Sequence, residues 1–249
     1  RLDLGGSYRI GPEALLRLKI GGNDGQTRQR ERSTFTTLSR IHDQRGEDAQ
    51  LAYVARVAPA LEIAAGLETW RSRDEETTRF RFFDKVEPAE GHGNLAYLAA
   101  RWGRPGALQV DGGLYYQRHA QDREDLTSFE HYRYADDHLY PRLGAVVPLA
   151  EGARLRAAYQ AWRRPAAFNT LSPVATAGIA LADQFVLPGG EQKHLRLQAE
   201  WELTPRHFLM GFAEAMRVDN IAHNAFDGAE NQRQNLARLD RLRQSERAL

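Results

Sequence analysis

The densest group of residues able to do chemistry lies between His119 and His138. It sets His119, His131 and His138 among Asp122, Glu124, Asp125, Glu130, Asp136 and Asp137. Imidazole mixed with carboxylate is a donor set for zinc, copper or iron, so His119, His131 and His138 are the candidate metal ligands. No two of them stand at a diagnostic spacing, and a solvated polar loop accounts for the same residues. Other chemistry is excluded by motif. There is no Gly-x-Ser-x-Gly elbow, P-loop, Gly-x-Gly-x-x-Gly turn or His-Glu-x-x-His pair. Ser33, Ser39, Ser128 and Ser172 are tied to no histidine by a recognisable motif. The chain is read as a non-enzyme, and no cofactor is implied.

Composition narrows the class further. The 249 residues carry 34 lysines and arginines against 33 aspartates and glutamates, a net charge of +1. Such a balance does not make a nucleic-acid binder. With no cysteine, disulfide frameworks, Cys-based zinc sites and thiol nucleophiles are excluded. A hydrophobic content of 42% and a mean hydropathy of -0.60 are too polar for a helical membrane protein. No run approaches the roughly 18 apolar residues that a transmembrane helix needs. Transmembrane strands escape this test, because only alternate residues face lipid.

The elements that must position any site are strands. From His194 to Leu203 one face holds Leu195, Leu197, Ala199, Trp201 and Leu203, the other His194, Arg196, Gln198, Glu200 and Glu202. This alternation is that of a half-apolar strand. It recurs at Arg154–Trp162, Leu51–Val57 and Leu61–Leu67, and further strands are expected at Leu2–Ile10, Ala14–Gly22, Asn94–Trp102, Ala107–Gln117, Leu139–Val147 and His207–Asp219. Pro and Gly mark tight turns at 11–13, 58–60, 103–106, 148–152 and 204–206. Between them lie long polar stretches at 23–48, 71–91, 118–137, 165–191 and 220–233.

Connections that alternate short and long belong to an outer-membrane barrel, with short periplasmic turns and long extracellular loops. The predicted fold is therefore all-β: an antiparallel transmembrane β-barrel, or a large segment of one. Arg154, Arg156, Gln160, Arg196, Gln198, Glu200 and Glu202 are the candidate lumen-facing residues. A solvated outer face of an ordinary sheet would show the same pattern. Trp70, Trp102, Tyr140, Trp162 and Phe208 stand near strand ends and are expected to form an interfacial girdle. Arg79 and Arg81 alternate with Phe80 and Phe82, which predicts a hairpin continuing beyond the membrane.

Several runs resemble TonB-dependent receptors. Arg154–Pro165, ending Trp162-Arg163-Arg164-Pro165, is similar to a receptor strand and the Arg-x-Pro that precedes a long loop. Leu171-Ser172-Pro173, Gly189-Gly190-Glu191, Leu195–Leu203, Thr204-Pro205, Phe208–Met216 and Val218-Asp219-Asn220 follow in the family's order. Tyr140-Pro141-Arg142-Leu143-Gly144 resembles a strand opening of these barrels. The resemblance implies passage of a solute across the bacterial outer membrane. Such barrels have about 22 strands, a plug domain and a TonB box. Here ten or eleven strands are expected, with no visible plug or box. The sequence opens Arg1-Leu2-Asp3 without a signal-peptide pattern and is read as a piece of a longer chain. A second resemblance is to polysaccharide-export porins that join periplasmic helical repeats to a C-terminal barrel.

These readings give residues 1–229 as barrel and 230–249 as a C-terminal segment that is a short helix, a tail or a truncated strand. Leu236, Leu239 and Leu242 there recur at helical spacing. The expected partners are outer-membrane lipid and lipopolysaccharide, a transported solute or polymer, and periplasmic domains of the same parent chain, with no nucleic acid. Arg71, Arg73, Arg79, Arg81, Arg118, Arg123 and Arg133 are candidates to meet lipopolysaccharide phosphates. The rival readings are a barrel acting as an anchor or adhesion platform, and a soluble all-β binding module.

Overall fold

Each alternating stretch pairs with the next through a tight turn, and the products assemble into one sheet. The computed structural model describes residues 2–32, 37–79, 84–127, 129–163, 170–181, 190–221 and 241–248. Its strands are β1 (Leu2–Gly11), β2 (Ala14–Arg32), β3 (Thr37–Ala58), β4 (Leu61–Arg79), β5 (Asp84–Gly103), β6 (Gln109–Asp125), β7 (Glu130–Ala150), β8 (Ala153–Arg163), β9 (Ala175–Thr176), β10 (Ile179–Ala180), β11 (Glu191–Thr204), β12 (His207–Ile221) and β13 (Arg241–Ala248). Eleven of them form a single sheet in the order β1-β2-β3-β4-β5-β6-β7-β8-β11-β12-β13, every neighbour antiparallel. β9 and β10 make a separate two-stranded hairpin.

The two faces differ in kind. Cross-strand partners build unbroken apolar rows on one face. One row runs Leu18, Leu51, Leu67, Ala96, Tyr116, Leu139, and the next Leu16, Tyr53, Ala65, Leu98, Leu114, Pro141. Rows nearer the tight turns run through Leu143, Tyr159 and Leu195 and through Ala145, Ala157 and Leu197 to β12. Leu67 and Leu98 are about 60% exposed, which a water-facing sheet would not tolerate across its whole width. One step beyond Tyr116 and Leu139 the same face turns polar, with Thr69, Asn94, Arg118 and Asp137 in register. An apolar band with a sharp polar edge is the outer surface of a membrane-spanning wall.

The strands run well past that edge. β3, β5 and β7 have 22, 20 and 21 residues, about twice the 9–11 that span a bilayer. The polar stretches expected to be long loops at 23–48, 71–91 and 118–137 are instead mostly strand. Ion pairs tie their polar faces together: Arg73–Glu90 at 3.0 Å and Arg133–Asp122 at 2.8 Å across strands, and Lys85 at 3.1 Å both from Glu87 on its own strand and from Asp125 on the next. Burial lowers the Lys85 pKa, but those two carboxylates outweigh it and hold the ammonium above its ordinary value. Arg81, Phe80 and Phe82 lie outside the described residues. So do residues 222–240, while 241–248 pair with β12 as a strand, where an unpaired sheet edge overrides helical spacing.

The girdle expectation needs correction. Trp102 stands exposed on the apolar face, while Phe208, in register with Glu202, is exposed on the other face, where Trp70, Tyr140 and Trp162 are buried. Each shares the parity of its strand's polar residues. Trp70 alternates with Glu68 and Ser72, Trp162 with Gln160, and Tyr140 with Arg142. Trp70 and Tyr140 form one cluster with Tyr97 and Tyr115, whose rings stack at 5.8 Å, while Trp162 packs against Val218.

In lipid vesicles, Leu98→Arg is expected to destabilise the sheet by about 2–4 kcal/mol in a denaturant titration. A change within about 0.5 kcal/mol, as on a wetted surface, would show that this face does not meet lipid.

Candidate functional site

The site lies on the inner face and is organised by a segment that crosses it. Residues 170–181, which come after β8 in the chain, lie across the sheet instead of standing away from it. They bond to side chains of β3, β4, β6, β7 and β8. The Gln50 side-chain oxygen accepts from Leu171 N at 2.7 Å, and Glu68 accepts from Ser172 N at 3.1 Å and from the Thr170 hydroxyl. Arg142 donates to Pro173 O at 2.6 Å, Asp111 accepts from Ala177 N at 2.7 Å, Arg156 donates to Ala177 O at 2.6 Å, and Gln160 donates to Ile179 O at 2.8 Å. Six adjacent strands laid flat would spread over about 24 Å. The segment bonds to five of these six strands, and the side chains on its face are buried (Tyr97, Tyr115, Gln160) where those opposite are exposed (Leu98, Leu114, Leu195), which makes this face the concave one.

The hairpin that ends the segment is tight. Thr176 pairs with Ile179, leaving Ala177 and Gly178 as a two-residue turn with φ of 52° and 75°. Both angles are left-handed, as a type I′ turn requires. Gly178 adopts this freely, whereas Ala177 is strained by about 1–2 kcal/mol. Asp111 and Arg156 offset that strain by binding the amide and carbonyl of Ala177 together. Beneath the turn, Gly144 is required by space: a Cβ there would meet Ala177 Cβ and Thr176 Cγ2 at 2.8 Å.

The residues anticipated to face a lumen share this concave face. Arg154 and Arg156 both bond to Glu200, the latter at 2.8 Å, and Gln198 donates to the same carboxylate at 2.5 Å. Arg196 donates to Gln198 at 3.1 Å and to Glu214 at 3.2 Å, and lies 4.1 Å over the Phe212 ring. Gln160 is fully buried and meets His194 Nδ1 at 3.3 Å, while His194 Nε2 faces Glu214 at 3.2 Å. Glu202 stands exposed at the short-turn rim. A second row of alternating charge, Arg56, Glu62, Arg101 and Asp111, follows the register across β3 to β6. Arg101 donates to Asp111 at 3.1 Å, so the acceptor of the Ala177 amide is itself held in place.

The three histidines do not converge. His119 is buried on the inner face opposite Asp136, and His138 lies 2.8 Å from the other side of that carboxylate. Seven residues along β7, about 23 Å away, His131 is exposed and pairs in register with Glu124. Asp136, His138 and Glu191 do bring ligand atoms within 4.8 Å of one another. The position between the carboxylates is already taken by a cation. Arg163 donates to Asp136 at 2.6 Å and to Glu191 at 2.5 Å, and Glu191 also accepts from Tyr140 at 3.1 Å. The donor set therefore fits a guanidinium better than a metal ion. Burial, and then the positive charge of Arg163, lowers the His119 pKa to about 4.

The basic residues separate by face. Arg71, Arg73 and Arg133 are exposed on the outer face beyond the apolar band. Arg123 is buried inside, paired with Glu87 at 3.1 Å and Glu76 at 3.7 Å. What the sequence reading missed is the inward segment, which it placed among extracellular loops. A signal was present: residues 166–182 contain no charged side chain, unlike every other long polar stretch.

A curled antiparallel sheet with an apolar outer face, a charged inner face and strands rising far beyond the band is a portion of a large outer-membrane-type barrel. The solved structures it resembles make the type specific: the sheet has the fold of TonB-dependent receptor barrels. Against the ferric citrate transporter FecA the TM-score is 0.64 at 10% identity, covering 87% of this chain and 33% of that one. For the ferric yersiniabactin uptake receptor FyuA from Yersinia pestis the values are 0.60, 13%, 87% and 35%. For the alcaligin outer-membrane receptor FauA from Bordetella pertussis they are 0.55, 14%, 97% and 46%. The chain thus spans between a third and a half of the length of these structures. These neighbours are transporter barrels and not enzymes. No family model and no curated protein matches the sequence.

Two outcomes follow. Ala177→Gly is expected to tighten the docked hairpin, and Asp111→Ala to free it, as read by the mobility of a spin label on Ala180→Cys. His119 resists protonation in the fold but accepts it near pH 6.5 when unfolded. Stability is therefore intact above pH 6.5 and falls as pH drops towards 4, by up to about 3 kcal/mol. His119→Gln is expected to flatten that dependence in denaturant titrations.

Proposed function

We propose that this chain forms part of the wall of an outer-membrane barrel in a Gram-negative bacterium, and that a solute crosses the membrane along its concave face. The observation that carries this reading is the division of one sheet into an apolar convex face with a sharp edge and a charged, hydrogen-bonding concave face. The likeness to receptor barrels supports it. Arg154, Arg156, Gln160, Arg196, Gln198, Glu200 and Glu202 tune which solutes pass, by charge and hydrogen bonding and without covalent chemistry. Arg154 and Glu202 are the exposed members and meet the solute first. The inward segment 170–181 narrows the passage at the level of Asp111, Arg142 and Arg156.

Outside, Arg71, Arg73 and Arg118 border the apolar band where the phosphates of lipopolysaccharide would lie. Glu90 limits the net attraction of two of them, because it already pairs with Arg71 at 3.6 Å and Arg73 at 3.0 Å.

The test is electrical. In planar bilayers the parent barrel is expected to conduct, and Gly144→Leu, which removes the space under the hairpin, is expected to raise conductance by about twofold or more. Arg154→Glu is expected to shift cation-over-anion selectivity without changing folding, since that residue is half exposed at the rim. A barrel that folds in bilayers and passes no ions in any of these forms would overturn the reading and favour an anchoring or adhesion role.

A further inference from the structure

The contacts that hold residues 170–181 have an unusual direction. Six wall side chains act, and almost everything they bind is backbone. Gln50, Glu68 and Asp111 accept from the amides of Leu171, Ser172 and Ala177, while Arg142, Arg156 and Gln160 donate to the carbonyls of Pro173, Ala177 and Ile179. The segment's own side chains add only the Thr170 hydroxyl on Glu68 and its contact with Ser172. A brace between specific partners would use side chains from both sides. This wall instead presents three acceptors and three donors to the main chain of whatever lies on it.

The donors and acceptors are also fixed in advance. Arg142 is stacked 3.7 Å from the centre of the Tyr115 ring, Asp111 is held by Arg101, Arg156 by Glu200, and Gln160 by His194. The present occupant fills the site incompletely. A cavity of about 60 Å³ remains between segment and wall, bordered by Arg101, Asp111, Tyr115, Arg142 and Thr176. It gives room for a side chain larger than threonine at that position. The occupant is strained as well, through the left-handed Ala177.

We infer that the concave wall between β3 and β8 is a binding site for a peptide backbone, or for another oligoamide with alternating N–H and C=O groups. Residues 170–181 occupy it in cis and compete with such a ligand. The inference rests on the transport reading for the ligand's access to the concave face. It adds to that reading the substrate's chemical class. An amide-rich solute displaces the segment on binding, so recognition and opening of the passage are one event.

The probe is a synthetic peptide with the sequence of residues 170–181, added to the folded protein in micelles. Two receptors are used: a variant in which residues 170–181 are replaced by Gly and Ser, and the intact sequence carrying a spin label on Ala180→Cys. The first is expected to bind the peptide saturably. Replacing the Ala177 amide of the peptide by an ester, which deletes the donor to Asp111, is expected to weaken binding about tenfold. In an Asp111→Ala background the same ester is expected to change affinity less than about twofold. In the second receptor, which needs no deletion to fold, saturating peptide is expected to mobilise the label. No saturable binding together with an unmoved label, or an ester effect of equal size in both backgrounds, would overturn the inference. The transport reading is judged separately. Binding without conductance sinks passage and keeps the site, whereas conductance without binding keeps passage and sinks the site.

Discussion

A slip of one residue in the register of any strand would exchange the two faces of this sheet, and everything else depends on that not happening. Successive side chains point to opposite sides, so register alone decides whether Leu67 or Glu68 meets lipid. In hydrocarbon every amide and carbonyl must also find a partner within the sheet. The tight turns at one end supply the first constraint by fixing where each pair of strands starts. The apolar rows from β2 to β12 supply the second, because any slip buries charge in the band. Within that frame the concave face is free to carry a linked series of polar contacts from Arg156 and Glu200 through Gln198, Arg196 and Glu214 to His194.

The membrane-level strands were legible from the sequence because their faces are chemically unlike. Leu195, Leu197, Ala199 and Trp201 on one side of Arg196, Gln198 and Glu200 leave a single solution. Beyond the band both faces are polar, and alternation no longer carries information. Arg73 and Glu90, or Arg133 and Asp122, are recognisable as partners only once the register from below has been extended to them. Polar stretches that are strands therefore read as loops. The misplaced aromatics are a different case. Trp70, Tyr140 and Trp162 fall on the polar parity of their own strands, so alternation already opposed an interfacial position for them.

The inward segment was hidden for a further reason. Its hairpin lacks the Asn-Gly or Asp-Gly signature of a type I′ turn, since Ala177 occupies the first left-handed position. Local propensity argues against that conformation, and contacts from distant strands impose it. Asp111 and Arg156 lie 66 and 21 residues away in the chain. The histidines failed to gather for a related reason: spacing along a strand sets height in the barrel wall, so His131 and His138 stand at different levels. Arg163, given no role in advance, occupies the centre of the acidic cluster that His138 borders.

The number of strands in the main sheet has a consequence for assembly. Neighbours alternate in direction, so among the described residues β1 and β13, first and last of eleven, point the same way. Their free edges cannot join each other in an antiparallel ladder. A ring of two copies would likewise meet at two parallel seams. Closure with antiparallel pairing throughout requires the complementary wall to contribute an odd number of strands. This is a rule of parity, independent of what that wall is made from, and it restricts which partners can seal the barrel before any side chain is considered.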